Sequence, residues 1–280
     1  MAEFFKNARV KGPAAKIGDG PDKSGHSPRR KKENAKIAPI TAHLKELRRT
    51  IIWSLLAIIA GSVVCYGFFR VPLMEIVTGP LSSLSRRIPI VYTSVAESFT
   101  TEMKVGIIAG IIISSPVVIF FIWRFVGPAL FPKEKKALML YIPIAIALFC
   151  CGVCFCYFII FPFTLQFFLS AASVDMEAML TISDYVDFLC KILVPFGLVF
   201  ETPLVVNFLV RFHIVSVVKL KRARKYVLLG CAILGAIITP PDVISQLSVL
   251  GPMYLMYEIG MLVGQIAEKR STAKTAKDLP

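Results

Sequence analysis

A chain of 280 residues that is 56% hydrophobic and only 18% charged, with a mean hydropathy of +0.70, is too apolar for a water-soluble domain and belongs in a bilayer. Its net charge of +14 does not indicate nucleic acid, because the basic residues lie in segments between apolar runs rather than on a soluble face interleaved with aromatics. Seven cysteines, most of them inside apolar runs, serve as small hydrophobes and outline no disulfide framework.

Residues 1–38, with "PRRKKENAK" inside them, are expected to be a disordered basic tail. Next comes "ITAHLKELRRTIIWSLL", residues 40–56. A helical reading puts Ile40, Leu44, Leu47 and Ile51 on one stripe of an interfacial amphipathic helix, with Glu46 off that stripe. The plain account of Glu46 is an i,i+3 ion pair with Arg49. The segment imitates a cleavable secretory signal, but the apolar run continues through Phe69 and no A-x-A site follows.

Four runs are long enough to span, near 50–69, 105–123, 138–161 and 189–210. Two shorter ones, near 226–239 and 247–264, flank "TPPDVISQ" and fit either two thin spans or one re-entrant hairpin. Residues 70–104, with Pro72, Pro80 and Pro89, read as an extracytoplasmic loop holding short helices. Alternate segments carry 27 Lys and Arg against 4, which places both termini in the cytoplasm by the positive-inside rule. A hairpin has the same parity, so charge does not separate the two readings.

Glu201 falls mid-span in "PFGLVFETPLVVNF", where a charged carboxylate costs about 2.5–3.5 kcal/mol, so a functional role is the default. Asp242 is expected to order the tight turn begun by Pro240 and Pro241, and Glu258 to sit near the cytoplasmic end of the last run. "CCGVCFC" (150–156) has one C-x-x-C and no histidine nearby, so it reads as close helix packing around Gly152 rather than a metal site. No Walker loop, HExxH or Ser-His-Asp constellation occurs, and no cofactor is expected; the chain reads as a non-enzyme. A proton-coupled small-solute carrier using Glu201 would want paired repeats around a midplane site, and none is visible.

Several motifs in order, "HLKELR" (43–48), "GPL" (79–81), "ESF" (97–99), "SSPV" (114–117), "VGPALFPKEKK" (126–136), "FETP" (200–203) and "TPPDVISQ" (239–246), resemble the TatC family of twin-arginine translocase subunits over residues 39–268. The resemblance implies an all-α polytopic membrane protein of six spans with both termini cytoplasmic, cup-shaped and with its last two spans short, followed by a tail at 269–280. It implies a receptor in the bacterial cytoplasmic membrane that binds twin-arginine signal peptides of folded proteins and works with TatA- and TatB-type single-span partners under the proton motive force. Self-association and contact with membrane lipid follow from the same resemblance.

By motif match, Glu46 and Glu134 meet the arginine pair, with Arg48, Phe125, Pro128 and Leu130 shaping the site. Fixed carboxylates suit this task, because bidentate bonding selects Arg over Lys. The same match assigns Glu201 and Gln246 to a polar intramembrane patch for the partner subunits, and Pro80, Phe99 and Asp242 to the loops. Two departures stand out: the extension before Ala38, and Glu102 where an apolar residue is more common.

Overall fold

A computed structural model describes residues 28–82, 90–130, 135–171, 180–212, 214–240 and 242–277. The chain divides into two compact units, Met1–Leu44 and Lys45–Pro280. In the first, residues 28–44 are helical, so helix begins ahead of the boundary expected at 38. All that follows concerns the second.

The elements are α1 (Pro28–Ser82), β1 (Ile90–Val91), α2 (Val95–Leu130), α3 (Lys135–Phe155), a π-helical turn (Cys156–Ile160), α4 (Phe161–Ala171), β2 (Leu180–Thr181), α5 (Ile182–Phe200), α6 (Thr202–Arg211), α7 (Val217–Ile238) and α8 (Val243–Lys277). Five helical stretches among the described residues are long and apolar enough to cross a bilayer: Leu44–Leu81, Ala96–Val126, Leu140–Ser170, Ile182–Arg211 and Val243–Lys269. The protein is an all-helical multi-pass membrane protein.

Helix α7 falls outside that set because Lys219, Lys221, Arg222, Arg224 and Lys225 occupy its first turns. Only about 13 apolar residues follow, roughly 20 Å of helix. The apolar part of α8 is longer than the 247–264 expected, and the helix continues to Lys277, since neither proline nor glycine ends it. Helix α7 ends at Ile238 and α8 begins at Val243, and α8 packs on both α6 and α7.

Residues 70–104, expected as a loop holding short helices, instead continue α1 through Ser82 and are helical again from Val95 in α2. Proline at position i frees the carbonyl at i−4, and no water in the hydrocarbon can serve it. Here hydroxyls do so: Tyr157 donates to the Ile76 carbonyl freed by Pro80, and Tyr185 donates to the neighbouring Val77 carbonyl at 2.7 Å. In "SSPV", Ser115 Oγ reaches the Ile112 carbonyl freed by Pro116 at 2.7 Å. The π turn stands directly before Pro162, whose missing N–H already interrupts the ladder.

Helix α5 is the hub. Ile182, Tyr185, Val186, Leu189, Ile192, Leu193, Phe196 and Phe200 recur at helical spacing and are all buried, against α2, α3 and α8. Lipid offers no hydrophobic drive for helices to associate, so close backbone approach must supply the packing. Glycine permits it at three crossings. A Cβ on Gly152 of α3 would stand 2.8 Å from the Phe196 carbonyl of α5, and one on Gly197 of α5 would stand 2.6 Å from the Phe149 ring of α3. A Cβ on Gly110 of α2 would meet Ser62 of α1 at 2.4 Å, and one on Gly260 of α8 would meet Pro203 of α6 at 3.0 Å.

A two-stranded parallel bridge, Ile90 to Leu180 and Val91 to Thr181, links the α1–α2 connection to the α4–α5 connection. Two-residue strands carry too few residues for a period-2 pattern, so nothing in the sequence announced them. Ser94 and Glu97 reinforce this end as a reciprocal cap on α2. Glu97 N donates to Ser94 Oγ at 3.2 Å, and the carboxylate accepts from Thr93 N at 2.6 Å and Ser94 N at 3.3 Å. The other carboxylate oxygen accepts from Ser183 N at 3.2 Å, so one buried side chain holds the first turns of α2 and α5.

The glycine crossings predict a sharp contrast. Gly110→Ala is expected to destabilise by about 1–3 kcal/mol through overpacking against the α1 backbone. Gly230→Ala, where nothing lies within 4 Å, is expected to be neutral or slightly stabilising. Thermal unfolding of both variants in one detergent checks this.

Candidate functional site

Helix periodicity builds the most conspicuous site. Glu46, Arg49, Thr50 and Trp53 stand at i, i+3, i+4 and i+7 on one face of α1, and Phe121, Arg124 and Phe125 at i, i+3 and i+4 on α2. Together these residues line a cavity of about 490 Å³. The structure thus brings Glu46 of "HLKELR" and Phe125, the residue directly before "VGPALFPKEKK", to one place. Among the described residues no ion pair joins Glu46 to Arg49, which removes the plain i,i+3 account of that glutamate. Arg48 is exposed on α1 and does not line the cavity. Pro128 and Leu130 lie in the last turn of α2 with their side chains outside the described set, and Glu134 lies outside the described residues.

An aromatic cluster braces this end of α2. Trp123 stacks on Tyr141 of α3 with centroids 5.3 Å apart, and meets Phe208 of α6 edge-on at 5.2 Å. Trp123 and Phe208 are buried, so Arg124 and Phe125 project from a fixed turn. Sequence reasoning passed over Arg49, Thr50, Trp53, Phe121 and Arg124. Their signal was the shared spacing with Glu46 and Phe125, legible only once the two helices are known to meet.

The fourth long run is broken at Glu201. Its N–H donates to the Leu198 carbonyl at 3.1 Å, and its own carbonyl accepts from Leu204 N and Val205 N, each at 3.0 Å. Pro203 has no N–H for the carbonyl of Val199, so α5 stops and α6 starts afresh with Glu201 between them. Phe200 before the break packs in the α5 core, and Leu204 after it joins the aromatic cluster. One carboxyl oxygen of Glu201 is buried and has no hydrogen-bond partner among the described residues.

Gln246, expected to share a polar patch with Glu201, donates its amide to the Ala232 carbonyl of α7 at 3.0 Å. Asp242 caps α8, accepting from Ser245 N at 2.7 Å and from the Ser245 hydroxyl. Glu258 accepts from Arg224 Nη2 at 2.8 Å and from Tyr254 OH at 2.7 Å, a pair that ties α7 to α8. At the opposite end of α1 from Glu46, Phe99 is exposed and meets Tyr66 edge-on at 6.3 Å, while Glu102 lies 3.7 Å from Arg70. Pro80 is buried and adjoins the Tyr157 and Tyr185 bonds described above. Among the described residues no cluster of His, Cys, Asp or Glu is arranged for a metal ion.

Fold and site together define a helical multi-pass membrane protein whose polar groups gather at a membrane-end cavity and at one broken span. The family model for the Sec-independent protein translocase protein (TatC) matches residues 42–252. A Sec-independent protein translocase protein TatC from Carboxydothermus hydrogenoformans is 39% identical over 229 residues, 81% of this chain and 93% of the relative. One from Desulforapulum autotrophicum is 38% identical over 234 residues, covering 83% and 86%. A crystal structure of the twin-arginine translocase receptor TatC superposes with a TM-score of 0.75 at 33% identity, over 80% of this chain and 99% of that one. The chain belongs to the TatC family, transport proteins rather than enzymes.

The unpartnered oxygen of Glu201 predicts an unusual sign. An unsatisfied buried polar atom costs about 1–3 kcal/mol, so Glu201→Leu is expected to leave thermal stability in detergent unchanged or higher. A large loss of stability on that substitution contradicts a residue kept for something other than folding.

Proposed function

We propose that this chain is the signal-peptide receptor and core subunit of a twin-arginine translocase, seated in a bacterial cytoplasmic membrane with both termini in the cytoplasm. The observation that supports it most is the cavity in which Glu46 of α1 and Phe125 of α2 come together. Glu46 is exposed there with no ion pair of its own among the described residues, so its carboxylate is available to an incoming guanidinium. In the sequence "FPKEKK" follows α2 directly, and its Glu134 is the second carboxylate of the proposed site. Two carboxylates set apart in this way suit two adjacent arginines, each able to form a bidentate pair that lysine does not reproduce. Arg48, Pro128 and Leu130 belong to this site as its surround.

In the same proposal, Glu201 at the broken span receives the single-span partners of TatA and TatB type. A helix crossing the bilayer beside it can offer the hydrogen bond that its buried oxygen lacks. Gln246, bonded to α7, belongs to the same polar patch. Folded cargo then crosses in a larger assembly of several such chains, driven by the proton motive force. The thin apolar stretch of α7 favours local compression of the bilayer.

Crosslinking of a twin-arginine signal peptide to the membrane-embedded chain is expected to fall at least about tenfold in Glu46→Ala and in Glu134→Ala, and with a lysine-pair peptide, as the loss of a charge-assisted pair implies. Undiminished crosslinking in all three refutes the receptor reading. Glu201→Ala is expected to retain signal crosslinking but to lose co-purification of the single-span partners; the reverse pattern puts Glu201 in the wrong site.

A further inference from the structure

Lys191 is a cation inside a span with nothing to balance it. It lies in the stretch Ile182–Arg211, about 14 Å of helix from the Ile182 end. It is exposed, and among the described residues it joins no ion pair or hydrogen bond. Ionisable residues at such depth are rare and as a rule paired.

The described carboxylates around it are engaged elsewhere. On α5 itself, Asp187 accepts from Lys104 of α2 at 2.6 Å, and Asp184 accepts from the Thr181 hydroxyl. On the neighbouring α2 and α8, Glu97 and Asp242 serve as caps, Glu102 lies against Arg70 and Glu258 against Arg224, and Glu268 stands toward the opposite end of α8 from Asp242. Helices α3, α4, α6 and α7 carry no acidic residue. Asp175 and Glu177, ahead of β2, lie outside the described residues.

The surrounding face indicates what covers Lys191. Asp184, Lys191, Leu198 and Val205 recur every seven residues and are all exposed, with Asp187, Val194 and Glu201 half-buried in the stripe beside them. Glu201 keeps helical dihedrals, so the face runs on through the interrupted ladder. A seven-residue repeat is the register in which one helix lies along another. This face offers a lone cation at one level and, about 15 Å along, the unpartnered oxygen of Glu201.

We propose that the face receives a single transmembrane helix whose own Asp or Glu pairs with Lys191, ten residues toward the Ile182 end from the side chain that donates to Glu201. Charge complementarity selects this occupant over an apolar helix or an acyl chain, neither of which brings an anion to that depth. The ammonium and carboxylate form a charge-assisted bond away from bulk water, which fixes the depth and rotation of the incoming helix. The proposal rests on the reading of Glu201 as the seat of the single-span partners and gives that seat a second contact.

The full chain is reconstituted in phosphatidylcholine vesicles with a synthetic Leu/Ala transmembrane helix of about 24 residues, carrying Gln at the level of Glu201 and either Glu or Gln ten residues toward the Ile182 end. Association is read by energy transfer between fluorophores on the two chains. The Glu peptide is expected to bind about three- to tenfold more tightly than the Gln peptide. Lys191→Gln is expected to erase that preference, and Lys191→Glu to restore tight binding to a peptide with Lys at the same position, which a damaged fold does not do. Asp175→Asn/Glu177→Gln is expected to leave the affinity unchanged. Equal binding of the two peptides to the parent, a preference that survives Lys191→Gln, a charge swap that restores nothing, or a gain in Asp175→Asn/Glu177→Gln, which makes Lys191 a residue paired within its own chain, each overturns the proposal. Glu201→Ala tests the underlying reading separately: it is expected to weaken both peptides alike, and unchanged binding there overturns the role of Glu201 while the Lys191 preference is read independently.

Discussion

A backbone carbonyl in hydrocarbon has no water to bond, and the fold of this chain depends on how that demand is met at its prolines. Pro80 and Pro116 each free a carbonyl inside or beside the membrane, and Tyr157 and Ser115 serve those carbonyls from the side. Tyr157 comes from the π turn and Tyr185 from α5, so satisfying one orphan at the end of α1 also fastens that helix to the rest of the bundle. At Glu201 the demand is met differently. Glu201 keeps helical dihedrals, φ −71° and ψ −18°, and only the hydrogen-bond ladder is interrupted ahead of Pro203. The interruption coincides with an ionisable side chain, one of whose oxygens has no partner among the described residues.

The second determinant is how closely helices approach. Gly110 against Ser62 sets the α1–α2 distance, and the same two helices, farther along, open into the cavity lined by Glu46 and Phe125. The stacked Trp123, Tyr141 and Phe208 fix the end of α2 from its other side. The cavity is therefore a consequence of one close crossing and one aromatic brace rather than of a flexible loop. Its two helix faces point inward because their residues fall at i, i+3, i+4 and i+7.

Much of the fold was legible because span length, charge asymmetry and proline-bounded turns are local properties. The apolar runs located the five spanning stretches and the apolar part of α7, and the TatC-like motifs identified the family. What stayed hidden depends on partners far apart in sequence. No local pattern shows that Tyr157 will reach Ile76 or that Tyr185 will reach Val77. The region 70–82 read as a loop because its prolines were judged without the tyrosines that rescue it. In the site, Glu46 and Phe125 were found through their motifs, whereas Arg49, Trp53 and Arg124 needed the packing of α1 on α2 to acquire meaning. Gln246 was grouped with Glu201 as a second polar residue in the span region, and its bond to the Ala232 carbonyl of α7 needed the packing of α8 on α7 to become visible.

The central claim is that Glu46 meets an arginine of another protein. A double-mutant cycle tests it directly: Glu46→Gln in this chain is combined with Arg→Gln at each position of the signal's arginine pair, and binding is measured in the membrane. The account predicts a coupling of at least about 1 kcal/mol with one of the two arginines, as expected for groups in contact. Strictly additive losses at both positions would contradict it.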